Sequence, residues 1–200
     1  TVRDAPRIYQ DSGTNATLSA DVTSDGGSPI TERGFLYSNI DPAPEDGAPG
    51  VVKVVISGTT GPISTGLTGL APGTVYVVRA FAKSLNGTGY DDAVMHVTIP
   101  CPAPTLASAT PNGPNRIDLV WSGGVAPYTV KRSPIPGGPY FVVAGGVSGT
   151  SISDGGASGG IPMYYVVESG CGAASAEASA TTTGICQEPP QFAGLSGMVQ

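Results

Sequence analysis

Acid–base and nucleophilic chemistry needs a few particular side chains at close quarters, and this sequence is sparing with them. Its single histidine, His96, stands in Val94-Met95-His96-Val97, where a lone imidazole reads as a strand-face residue. Paired carboxylates occur at Glu45/Asp46 and Asp91/Asp92. Both pairs stand in loop-like stretches with proline or glycine nearby, so they read as solvated loop charges, whereas raising a carboxyl pKa for proton transfer takes an apolar pocket. Asp41, Glu45 and Asp46 carry the oxygens that calcium accepts, without the regularly spaced aspartates of a dedicated calcium loop. No GxSxG, HExxH, CxxC or CxxCH spacing is present, which leaves little material for a serine nucleophile, zinc or haem. The glycine pairs at 155–156 and 159–160 would cradle a phosphate only ahead of a helix N-terminus, and a strand pattern follows them instead. Tyr9, Tyr37, Tyr90, Tyr140, Phe141 and Tyr164 offer a stacking platform for sugars, although alternate-face strand packing accounts for most of them. Asn15-Ala16-Thr17 and Asn86-Gly87-Thr88 are glycosylation sequons at turn positions, which makes Asn15 and Asn86 candidate acceptors. No catalytic, cofactor-binding or metal-ligating residue is expected.

Composition says what must position these residues. Glycine and proline (30 and 19) make up just under a quarter of the 200 residues, yet 40% are hydrophobic and 12% charged. A disordered chain has the reverse balance, so this one folds. Its charged share is half of the roughly 25% usual in globular domains. Helices with solvated charged faces are excluded, and short strands joined by tight turns are expected. The chain reads as all-β. A net charge of −6 with no basic stripe argues against nucleic acid. The absence of a run of 18 apolar residues argues against membrane insertion by a helix. Because the sequence starts at Thr1 without methionine or a leader pattern, it reads as a mature or excerpted segment.

The strand pattern occurs twice. Leu18, Ala20 and Val22 alternate with Thr17, Ser19 and Asp21, the period-two signature of a half-buried strand. Apolar stretches follow at 34–37 and 51–56, with a proline-rich loop at 41–47 between them and a turn expected at 58–62. The next strand puts Tyr76, Val78, Ala80 and Ala82 on one face, Asn86-Gly87 is a hairpin turn signal, and a last strand is expected over 90–99. In the second half Ile117, Leu119 and Trp121 form a strand ending at 122–124. Further strands are expected at 128–132, 140–143, 150–153, 163–168 and 174–182, with a turn at 134–139. Such spacing, with turns about every 8–12 residues, is that of an immunoglobulin-like sandwich.

Two sets of residues carry a family resemblance. Thr31-Glu32-Arg33-Gly34 and the run Leu67-Thr68-Gly69-Leu70-Ala71-Pro72-Gly73-Thr74-Val75-Tyr76 resemble a bacterial fibronectin type III domain. Leu119-Val120-Trp121, with Tyr128-Thr129-Val130-Lys131-Arg132-Ser133 leading to Gly137-Gly138-Pro139-Tyr140, resembles another branch of that family. The resemblance implies that Tyr76, four residues after Pro72, caps a corner between the sheets, and that Trp121 is the core tryptophan of the second strand. Alignment on Tyr165 and Val167 puts Met163 where the second unit would hold its corner tyrosine.

Within such a sandwich Cys101, ahead of the first strand of the second unit, and Cys171, in the turn between its last two strands, lie at the same pole. A Cys101–Cys171 disulfide is therefore expected, against the alternative of three reduced, buried thiols. Cys186 is left over, unpaired or pairing between repeats. It follows Cys101 by about one repeat, and Pro190-Gln191-Phe192-Ala193-Gly194 echoes Pro104-Thr105-Leu106-Ala107-Ser108. Residues 186–200 thus read either as the first strand of an incomplete third repeat, in an excerpt of a longer protein, or as a strand donated to a neighbour's sheet edge through Phe192, Leu195 and Val199.

The organisation expected is two tandem fibronectin type III-like β-sandwiches, 1–99 and 100–185, plus the C-terminal strand segment 186–200. Pro100, Pro102 and Pro104 stiffen the junction. The function expected is non-catalytic: an extracellular or cell-surface repeat module that spaces, adheres or self-assembles into a filament. Its expected partners are protein (neighbouring repeats or further copies) and, in second place, glycan; no cofactor is expected. The alternatives are an accessory spacer or carbohydrate-binding module of a secreted glycan-degrading enzyme, and a virion surface module.

Overall fold

The computed structural model describes residues 7–10, 13–92 and 94–184, the first four through their backbone alone. Its chain divides into two compact units, 1–101 and 102–200. Strands are the regular elements throughout, as expected where β-branched and small residues alternate and long charged side chains are scarce.

The first unit contains β1 (Arg7–Gln10), β2 (Ala16–Val22), β3 (Ile30–Ser38), β4 (Val52–Val55), β5 (Gly61–Leu67), β6 (Val75–Ser84), β7 (Gly87–Tyr90) and β8 (Met95–Thr98). One antiparallel sheet has the order β1-β2-β5. The other runs β4-β3-β6, with β7 and β8 both paired to β6. Leu18, Val22, Ile63 and Leu67 from the first sheet meet Phe35, Val78, Ala80 and Val97 from the second, and all are buried.

Two local expectations are corrected here. The turn over 58–62 ends early, because β5 already starts at Gly61 and pairs Pro62 with Asp21. A proline is tolerated there because β5 lies at the edge of its sheet, where a missing N–H breaks no ladder. The single last strand over 90–99 is in fact two. Phe81 faces Tyr90 whereas Val78 faces Met95, so a step of three residues on β6 is matched by five on the returning chain. The extra residues form a bulge that turns Asp91 inward, where it is buried.

In the second unit, β9 (Pro104–Pro111), β10 (Ile117–Gly123), β11 (Tyr128–Ser133), β12 (Phe141–Val147), β13 (Ser151–Asp154), β14 (Pro162–Glu168) and β15 (Ala178–Thr181) form sheets β13-β10-β9 and β12-β11-β14-β15. The order repeats that of the first unit, with the single strand β15 in the place of β7 and β8. Ile117, Leu119 and Trp121 pack against Tyr128, Val130, Met163, Tyr165 and Val167. The expected strand over 174–182 is shorter, because at its start the Ser175 side-chain hydroxyl accepts the Val167 N–H from β14 at 3.0 Å, where a regular ladder would use a backbone carbonyl.

Candidate functional site

Polar side chains in the first unit are largely committed to holding the fold. Arg33, on β3, is buried and forms no ion pair among the described residues. Its Nε and Nη2 donate to the Ser57 carbonyl at 3.2 and 2.8 Å, and its Nη1 donates to the carbonyls of Thr59, Thr60 and Gly61 at 3.0, 3.0 and 3.2 Å. The planar fork of donors suits this cage, which an ammonium would fill poorly. The neighbouring residue must be glycine, because Gly34 has φ +155° and a Cβ there would lie 1.9 Å from the Val54 carbonyl oxygen. Tyr76 stands edge-on to Tyr37, with ring centroids 6.0 Å apart, and its hydroxyl accepts the Ala71 N–H at 3.0 Å.

The loop carboxylates are engaged as well. Asp46 meets Lys53 at 3.0 Å and Lys83 at 3.8 Å, Glu45 meets Arg79 at 3.7 Å, and Asp41 caps the Ala43 N–H at 2.9 Å. Hydrogen bonds that Lys53 donates to Glu32 and Asp46 raise its pKa above its ordinary value. No group of three or more potential metal ligands occurs among the described residues. Tyr90 lies under the Arg79 guanidinium, 4.6 Å from ring centre to Cζ, and His96 is exposed on β8.

In the second unit Met163, at the position of the first unit's corner tyrosine, is buried and offers no hydroxyl. Two other tyrosines make the polar contacts. Tyr128 donates to the Gly123 carbonyl at 2.8 Å, and Tyr165, fully buried, donates to Asp154 Oδ2 at 2.8 Å. That same oxygen accepts from Arg132 Nη1 at 2.6 Å, and Asp154 Oδ1 accepts the Gly156 N–H at 2.9 Å. Burial, and then the Asp154 carboxylate, push the Tyr165 pKa far above its ordinary 10. The stability this contributes is complete below pH 10 and is lost only as pH rises above it. Replacing Asp154 by asparagine removes the charge but keeps the volume. We expect a loss of about 2 kcal/mol in denaturant unfolding, below the roughly 3–5 of a fully buried pair because Arg132 retains solvent contact. An unchanged midpoint would show the cluster to be energetically idle. Asp118 forms a similar network at the surface, where hydrogen bonds from Ser153, Asn112 and Arg116 draw its pKa down to about 2. This contribution is present above the ordinary carboxyl range and fades as pH falls towards 2.

The least committed surface is the edge strand β12. Among the described residues it pairs with β11 alone, and Phe141 and Val142 are 67% and 63% exposed. Beside it opens a groove of about 530 Å³ lined by Arg132, Pro134, Phe141, Val143, Asp154 and Met163, among others. This falls within the roughly 300–1,000 Å³ range of binding clefts. The two charges in its wall are already paired to each other, so its accessible chemistry is apolar contact and a backbone edge. Sequence reading noted Phe141 as an aromatic; the signal it missed is that Phe141 and Val142 both stand at a strand start with no charged residue anywhere in 141–147.

The other candidates are dispersed. Cys101 and Cys171 are disulfide-bonded to each other. Trp121 is buried edge-on to Tyr128 with ring centroids 5.5 Å apart, and its Nε1 has no hydrogen-bond partner among the described residues. Asn86 is exposed at the β6–β7 hairpin and Asn15 is half-buried before β2. Tyr140 is tied to Glu177 through its hydroxyl, which raises its pKa and lowers that of Glu177. Of the aromatic candidates, Tyr37 and Tyr90 belong to the first unit, and Tyr140, Phe141 and Tyr164 to the second. The Tyr9 side chain, Cys186, Phe192, Leu195 and Val199 lie outside the described residues.

Among solved structures, a segment of two fibronectin type III domains from chicken tenascin is similar over 88% of this chain and 98% of its own, at 20% identity and a TM-score of 0.54. The fold is that of the fibronectin type III-like sandwiches. A Fn3-like protein from Clostridium thermocellum is 36% identical over 41% of this chain and 94% of its own, with a TM-score of 0.38. No protein-family model and no curated protein matches the sequence. Both fibronectin type III-like units thus share one strand order while using different polar locks, a guanidinium cage in the first and a tyrosine–aspartate–arginine cluster in the second.

Proposed function

We propose that the chain is a non-catalytic, extracellular interaction module that self-associates through sheet edges into ordered assemblies. The observation that carries this reading is the contrast between committed polar groups and a free apolar edge. The carboxylates, guanidinium groups and tyrosine hydroxyls described above are spent within each unit, while Phe141 and Val142 stand open on β12. Monomeric proteins usually guard such edges with charge or cover them. The fold is common among extracellular structural modules, and the Cys101–Cys171 disulfide suits an oxidising compartment.

Negative-stain electron microscopy and sedimentation velocity of the native, unreduced chain test this reading together. Regular fibres or oligomers whose share grows with concentration are the expected result. A monomer that persists through the micromolar to millimolar range would overturn it.

A further inference from the structure

We infer that β12 is the acceptor edge of this assembly and that its occupant is residues 192–199 of a second copy, added as an extended strand. This rests on the self-association proposed above and names both sides of the contact. Among the described residues β12 is paired on one side only, so its other side presents N–H and C=O groups that a further strand can bond. The corresponding edge strand of the first unit, β4, is guarded differently. There Lys53 stands mid-strand and binds Glu32 and Asp46, each at 3.0 Å, so an incoming strand would have to break that network. β12 carries no charge at all. Its own guard is irregular register, with shifts opposite Val130. These confine regular pairing to its first residues, beside the exposed Phe141 and Val142.

The proposed occupant matches that edge in kind. Phe192-Ala193-Gly194-Leu195-Ser196-Gly197-Met198-Val199 carries no charge, and the nearest one is at Glu188. As a strand it would place Leu195 and Val199 on one face and Phe192 and Met198 on the other, with alanine, glycine and serine between them. Small residues between large ones let a strand approach an edge closely. Pro189 and Pro190 favour an extended entry into the segment. An uncharged strand meeting an uncharged edge desolvates no unpaired ion, and Arg132 and Asp154 in the groove wall keep each other as partners.

The test uses the full, unreduced chain and a fluorescent synthetic peptide of residues 188–200. The peptide is expected to bind the chain saturably and to dissolve its assemblies. The double variant F141K/V142K, at two exposed positions, is expected to weaken peptide binding at least tenfold and to sediment as a monomer. The reciprocal variant L195D/V199D should also be monomeric while still binding the wild-type peptide. L85K, at another exposed apolar residue, should assemble normally. Assemblies that survive both double variants would overturn this edge and this occupant while leaving self-association standing. A wild-type chain that never assembles and ignores the peptide would overturn both. Peptide binding undiminished by F141K/V142K would place the occupant elsewhere and overturn the assignment of β12.

Discussion

Arg33→Met lowers the unfolding free energy of the first unit by about 3 kcal/mol. Each hydrogen bond from a charged donor contributes roughly 1.5–3 kcal/mol, and the guanidinium makes five of them to four carbonyls. A plain sum would exceed the whole stability of a small domain, which is about 5–15 kcal/mol. Two effects reduce it. Three of the four carbonyls belong to a turn at 57–60 whose residues are exposed, so water reaches them once the side chain is gone. Methionine also keeps the aliphatic stem packed, so little cavity opens. What remains is the loss of a lock between β3 and the start of β5. Arg33→Lys should recover less than half of the loss, because one ammonium cannot fork to four acceptors. Gly58→Ala should mimic the defect from the other side, since its Cβ would stand 2.3 Å from Arg33 Nη2 on a backbone at φ +110°. Denaturant unfolding by circular dichroism measures the loss, and hydrogen exchange at the amides of β5 locates it. A change under 1 kcal/mol, with β5 protection intact, would reduce the cage to a surface contact.

That cage shows where the sequence was legible and where it was not. Thr31-Glu32-Arg33-Gly34 marked the first unit by resemblance alone. The structure supplies the reason for two of its residues, a fork for four carbonyls and a backbone too close to Val54 for any side chain. Strands with clean alternation, such as the one carrying Ile117, Leu119 and Trp121, could be read directly because burial of one face imposes period two. β5 was missed because Gly-Pro-Ile-Ser-Thr-Gly-Leu looks like a turn, and only its place at a sheet edge makes that composition acceptable. The break between β7 and β8 was missed because a bulge is a matter of register between two strands, which one strand's own sequence does not encode. The second unit's polar lock was invisible for a similar reason. Arg132, Asp154 and Tyr165 lie 22 and 11 residues apart, and only the stacking of the two sheets brings them together. The edge at β12 needed the same knowledge, since exposure depends on which strand stands last in its sheet.

Reducing the Cys101–Cys171 disulfide should cost the second unit about 4 kcal/mol, the largest single effect anticipated for this chain. The bridge closes a loop of 70 residues, and the chain-entropy relation assigns a loop of that length roughly 4 kcal/mol of constraint on the unfolded state. The loop starts ahead of β9 and ends just after β14, so it encloses all but the last strand of the unit. A core of modest side chains makes that constraint matter. Apart from Trp121, Tyr128, Met163 and Tyr165, the buried cluster is built from Ile, Leu, Val and Ala. The edge strand β12 contributes Gly145 and Gly146 where larger residues would add buried area. Little surplus is left to absorb a loss equal to a large fraction of a typical domain's stability. Trp121 is the single tryptophan and is buried in this unit, so its fluorescence reports the transition directly. Denaturation curves with and without a phosphine reductant should differ in midpoint. The variant C101S/C171S should reproduce the reduced curve, which separates the bridge at 101 and 171 from any effect of reduction at Cys186. Coincident curves would mean that the unfolded chain was already as compact as the bridge makes it. In that case the side-chain packing around Trp121, rather than the crosslink, would set the stability of the unit.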